Sequence, residues 1–168
     1  MKYRFLLSAF HRRCPSISNT NGSGLWRMAI FINRVPNMIE HVSVPNLPKP
    51  LLPYSPAVRV GELVFVSGQA SVDKSGALVS GTFEEEMRRS LENLSAVLTA
   101  AGSSLERVVR TCNYVRDAVE LETFNRIYRE YFKPPYPART TITNCLNEEL
   151  RYEIDCVAVV TPIEKRSG

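Results

Sequence analysis

Pro137-Ala138-Arg139-Thr140-Thr141-Ile142-Thr143, followed after a polar gap by Arg151-Tyr152-Glu153-Ile154-Asp155-Cys156-Val157-Ala158-Val159-Val160, is the stretch that decides the fold. Both halves alternate with the period of two that strands require. That puts Arg139, Thr141 and Thr143 on one face of the first strand, and Glu153 and Asp155 together on one face of the second. A planar arginine fork suits a carboxylate or phosphate, and a neighbouring glutamate can orient or deprotonate a water, so Arg139 and Glu153 could form a small acid-processing site. The same residues could equally form a cross-strand salt bridge, the commoner arrangement. Chemistry alone leaves both readings open.

Working back from this stretch, Leu121, Phe124, Ile127, Tyr128 and Tyr131 mark the buried side of a helix that Asp117 could cap and that Pro134-Pro135 ends. Asn125, one position past Phe124, reads as an ordinary exposed polar residue. Val108 to Val115 is a strand with a strong apolar bias. Before it, Thr82-Phe83-Glu84-Glu85 has the form of a capping box. Met87, Leu91, Leu94, Leu98 and Ala101 then follow as one apolar stripe, and Gly102 stops the helix. Further upstream, Ala57 to Val60 and Leu63 to Ser67 read as a hairpin turning at Gly61-Glu62. Gly68, at the end of that strand, lets the backbone come close to a ligand or another chain element, or marks a bulge. Leu78-Val79 is at most a brief return strand.

The order is two or three strands, helix, strand, helix, two strands. A strand-helix-strand unit implies a right-handed crossover, so both helices cover one face of a single mixed sheet. The last strand is apolar on both sides, so the other face needs a cover, and a second copy of the chain is the economical candidate.

A chain of 168 residues suits one domain with tails, and its 44% hydrophobic and 23% charged residues are ordinary for a globular protein. Of the net charge of +4, residues 1 to 39 supply +6 with no acid, so the remainder carries −2. That acidic body argues against nucleic acid binding through a basic face. The cysteines Cys14, Cys112, Cys145 and Cys156 form no C-x-x-C pair, and only His11 and His41 are present, so neither a metal site nor a histidine catalyst is expected. Residues 1–35, rich in arginine and serine, suit a mitochondrial transit peptide. The competing reading has Met28 as the initiator and a cytoplasmic protein. No segment has the apolar length of a membrane span. Residues 36–50 are a proline-rich extended lead-in, 51–162 the folded domain and 163–168 a tail.

Tyr54-Ser55-Pro56-Ala57-Val58, Val66-Ser67-Gly68-Gln69, Thr123-Phe124-Asn125-Arg126-Ile127-Tyr128, Phe132, Pro137-Ala138-Arg139 and Tyr152-Glu153-Ile154-Asp155-Cys156-Val157-Ala158 together resemble the Rid (YjgF) family in order and spacing, from about Leu51 to Val160. The resemblance implies a chorismate-mutase-like α+β fold, assembled as a homotrimer with sites between subunits. It further implies cofactor-free hydrolysis of reactive 2-imino acids to 2-keto acids and ammonia. The imines would be of the 2-iminopropanoate and 2-iminobutanoate class, formed from 2-aminoacrylate-type enamines. By position, Arg139 would grip the substrate carboxylate and Glu153 would hold the attacking water. Tyr54, Ser67, Gly68, Asn125 and Thr141 would line the pocket. Other functions described in the family, an endoribonuclease or translation inhibitor and a metabolite-binding trimer without turnover, remain alternatives. Leu146-Asn147-Glu148-Glu149-Leu150 stands where deaminase members have a Leu-Pro-Lys type loop. Its acids, if near the pocket, would disfavour dianionic substrates.

Overall fold

The computed structural model describes residues 39–45 and 53–160. The leader, the tail and most of the proline-rich lead-in lie outside these residues.

The first hairpin forms where expected. β2 (Ala57–Val60) and β3 (Leu63–Ala70) pair antiparallel across a turn in which Gly61 has φ +61°, a left-handed conformation that glycine adopts without penalty. β1 (Ile39–Val42), within the lead-in, adds to the outer edge of β2, so the sheet begins ahead of residue 51. Leu78 makes only an isolated bridge to Val72.

α1 (Phe83–Ala100) starts on the capping box. The Thr82 hydroxyl accepts from the Glu85 amide, while the Glu85 carboxylate accepts from the Thr82 amide at 2.8 Å. Gly102, at φ +77°, follows its last turn. Met87, Leu91, Leu94 and Leu98 are fully buried against the sheet, each stabilising the fold by about 1.5–3 kcal/mol relative to exposure.

β4 (Val108–Val115) leads through a single 3-10 turn, Ala118–Glu120, into α2 (Leu121–Tyr131). Asp117 does not cap that helix, because its carboxylate accepts from the Arg116 Nε at 2.9 Å instead. Among the described residues β5 (Ala138–Thr143) and β6 (Tyr152–Val159) complete a six-stranded sheet of order β1-β2-β3-β6-β4-β5, in which only β4 and β5 run parallel.

The two strands of the deciding stretch are therefore not neighbours: β4 lies between them. Tyr152, Ile154, Cys156 and Ala158 of β6 are buried beneath the helices, whereas Val157 and Val159 are half-buried on the opposite face beside exposed Phe65 and Leu63. Among the described residues this second face carries no helix.

Candidate functional site

Arg139 is placed by its register. It pairs with Thr111 of β4, and Thr111 is fully buried with its hydroxyl 2.9 Å from the Tyr128 hydroxyl of α2, so Arg139 emerges on the helix-bearing face at the sheet edge. Its guanidinium carbon lies 5.0 Å from the ring centroids of both Phe124 and Tyr128. Aromatic faces attract a cation without neutralising it. The Arg139 Nη1 donates to Asn125 Oδ1 at 3.0 Å, and this bond aims the fork. Among the described residues no carboxylate pairs with Arg139.

The shelf beneath it is fixed by a buried chain of hydrogen bonds. Tyr152 donates to Asn113 Oδ1 at 2.7 Å, and Asn113 Nδ2 donates to Thr111 Oγ1 at 3.1 Å, which in turn meets the Tyr128 hydroxyl. Satisfied polar chains of this kind hold one arrangement of a core. Thr141, two residues beyond Arg139 on the same face, has a buried hydroxyl with no hydrogen-bond partner among the described residues. Buried polar atoms nearly always have a partner, so this hydroxyl is left free to meet one from outside these residues. Asn125, Tyr128, Arg129, Tyr136, Pro137 and Arg139 line a cleft of about 300 Å³.

Glu153 sits elsewhere. It pairs with Tyr114 of β4 and Ala70 of β3, which puts it on the face without helices. Neither an Arg139–Glu153 salt bridge nor a site formed by both within one chain exists: the two residues are on opposite faces of the sheet. Alternation along a strand shows which residues share a face but not which face of the sheet that is. The inserted β4 decides it.

Gly68 belongs with Glu153. The register steps from Val66–Cys156 to Gln69–Ile154, so Ser67 and Gly68 together oppose the single residue Asp155 in a β-bulge. A Cβ on Gly68 would lie 1.8 Å from Glu153 Oε1, so the missing side chain makes room for the carboxylate. Ser67 donates its hydroxyl to the Ser55 carbonyl at 2.7 Å and its amide to the Pro56 carbonyl, tying the segment after exposed Tyr54 to the bulge. Burial pushes the Glu153 carboxyl above its ordinary pKa, and the like charge of Asp155 adds to the effect. Tyr114 donates to Asp155 at 3.0 Å.

The expected site residues thus divide into two groups, Arg139, Asn125 and Thr141 on one face and Glu153, Gly68, Ser67 and Tyr54 around the bulge. Phe124 and Tyr128 are buried as expected, but their second role as the arginine's shelf is invisible to helical periodicity. Arg129 and Tyr136 were missed. Helical spacing could have indicated Arg129, one turn beyond Asn125 on the same helix face. None of residues 146–150 lines the cleft, and Glu148 uses its carbonyl to accept from Arg116. Among the described residues no group of His, Cys, Asp and Glu could hold a metal, and no helix is long and apolar enough to cross a membrane.

A single mixed sheet with two helices on one face defines a chorismate-mutase-like α+β protein, and Arg139 stands at the edge of that sheet. Residues 44–160 match the family described as Endoribonuclease L-PSP. The chain is 38% identical over 142 residues to the 2-iminobutanoate/2-iminopropanoate deaminase of Homo sapiens, covering 83% of this chain and 99% of that one. It is 41% identical over 110 residues to Protein mmf2, mitochondrial, of Schizosaccharomyces pombe, covering 63% and 86%. The crystal structure of YEO7 from yeast superposes with a TM-score of 0.68 at 30% identity, over 73% of this chain and 99% of that one. The chain belongs to the Rid (YjgF) family.

Proposed function

We propose that this protein hydrolyses 2-imino acids, of the 2-iminopropanoate and 2-iminobutanoate class, to 2-keto acids and ammonia without a cofactor. The active sites would be shared between subunits of a homotrimer. The observation that carries this reading is Arg139: a guanidinium steered by Asn125 and backed by two aromatic rings, lining a cleft and without a carboxylate partner among the described residues. It is a receptor for a small carboxylate.

An iminium carbon is already electrophilic, so the protein has chiefly to orient the acid and place one water. Arg139 holds the carboxylate. Glu153 of an adjoining subunit takes a proton as water adds to the iminium carbon, giving a carbinolamine. The glutamic acid returns that proton to nitrogen, the C–N bond breaks as the hydroxyl electrons form the carbonyl, and the hydroxyl proton leaves with ammonia as ammonium. A raised Glu153 pKa suits a group that must both accept and return a proton. Support for the trimer comes from the division of the site between two faces and from the exposed Leu63 and Phe65 on the face without helices. Support for a mitochondrial location comes from the leader composition and the likeness to Protein mmf2, mitochondrial.

The endoribonuclease reading draws on the family description. Against it stand the acidic body and the scarcity of histidines, with His11 and His41 the two in the sequence. The test is keto acid release from imines made by an amino acid oxidase, with intact protein and with Arg139→Ala. Acceleration over buffer that Arg139→Ala abolishes is expected. No acceleration by the intact protein sinks the catalytic reading.

A further inference from the structure

The cleft holds a second cation that the carboxylate clamp does not explain. Arg129 lines it together with Arg139, Asn125 and Tyr136, one helical turn beyond Asn125. Its neighbours on the helix pair are neutralised: Arg88 and Arg126 both pair with Glu84 and with Glu130, forming a closed ring of four charges. Among the described residues of one chain Arg129 forms no ion pair, and no carboxylate of that chain lines the cleft, to which the adjoining subunit would bring the single acid Glu153. Two arginines line one small cavity while Glu84 and Glu130 close by are spent on other arginines. Such a cavity favours an anion with two charged ends. The acidic 146–150 loop, which would have opposed such a ligand, does not line it.

Resting on the imine-hydrolysis reading, the geometry points to dicarboxylic 2-imino acids as preferred substrates, with Arg139 holding the α-carboxylate and Arg129 the side-chain carboxylate. Tyr136, half exposed at 50%, would wall the space between them. A charge-assisted contact made by one substrate and not by the other is worth about tenfold or more in selectivity.

The experiment compares kcat/KM of the full chain on 2-iminosuccinate and 2-iminoglutarate, made by oxidising aspartate and glutamate, with kcat/KM on 2-iminopropanoate made from alanine. The expected dicarboxylic-to-monocarboxylic ratio exceeds one in the intact protein. It falls about tenfold in Arg129→Gln, falls further in Arg129→Glu and is largely kept in Arg129→Lys. Turnover of 2-iminopropanoate with no dicarboxylic preference, or a ratio that Arg129→Gln leaves unchanged, overturns this inference and leaves imine hydrolysis standing. Subunit dissociation in Arg129→Gln with an unchanged ratio assigns the residue to an interface and also overturns it. Failure to turn over any imine overturns both readings.

Discussion

Replacing Gly68 with alanine separates a catalytic Glu153 from a structural one. The new Cβ would lie 1.8 Å from Glu153 Oε1 and 2.8 Å from its Cδ, against an ordinary carbon contact of about 3.5 Å. The carboxylate oxygen must therefore retreat by about 1.7 Å. A glutamate head is the mobile end of a flexible side chain, so it swings away while the backbone stays. Gly68 has no left-handed φ, and alanine gains about 0.4–1 kcal/mol by restricting the unfolded chain. The forced change at Glu153 costs about 0.5–1.5 kcal/mol, so the two nearly cancel and thermal denaturation should shift by no more than about 5 °C. Catalysis has no such compensation. A catalytic group misplaced by an ångström costs about a hundredfold, equivalent to about 2.7 kcal/mol of barrier. Circular dichroism melts and keto acid release on the same preparation report both quantities. A Gly68→Ala protein that keeps its fold and turns over within about threefold of the parent refutes the role given to Glu153.

Two further outcomes follow from the same geometry. The Glu153 carboxyl titrates above its ordinary 4.5, so the folded chain holds a proton that the unfolded chain has already lost. This contribution to stability is present at low pH and is lost as pH rises through the window above 4.5, while activity, which needs the carboxylate, rises through the same window. Glu153→Gln should abolish turnover and remove this pH dependence of stability, as pH-resolved melts of the variant beside melts and rates of the parent would record. Thr82→Ala leaves the α1 amides without their cap and should cost about 1 kcal/mol in denaturant unfolding, with kcat unchanged.

Local chemistry made much of the fold legible. The Thr82–Glu85 box, the Met87 to Ala101 stripe and the Val108 to Val115 run depend on residues near in sequence, and each became the element expected. The Asp117 cap failed for an equally local reason, since Arg116 takes the carboxylate first. What the sequence could not supply was the relation between distant strands. Arg139 and Glu153 occupy adjacent strands of the chain, yet β4 separates them in the sheet and they emerge on opposite faces. The pairing of Gly68 with Glu153 depends on a bulge between β3 and β6, strands far apart in the chain. Arg129 was passed over because helical periodicity draws the eye to the apolar side of α2, whereas the residue acts at its rim.

Mixing two inactive variants tests the shared site most directly. Arg139→Ala and Glu153→Gln chains, each inactive alone, are unfolded together, refolded as a mixture and assayed for imine hydrolysis. In a cyclic trimer whose sites each take Arg139 from one subunit and Glu153 from the next, every mixed trimer has one intact site. Random equimolar assembly then restores about a quarter of the parental activity. That recovery is the predicted result. A mixture that forms mixed trimers and stays inactive contradicts a site divided between subunits.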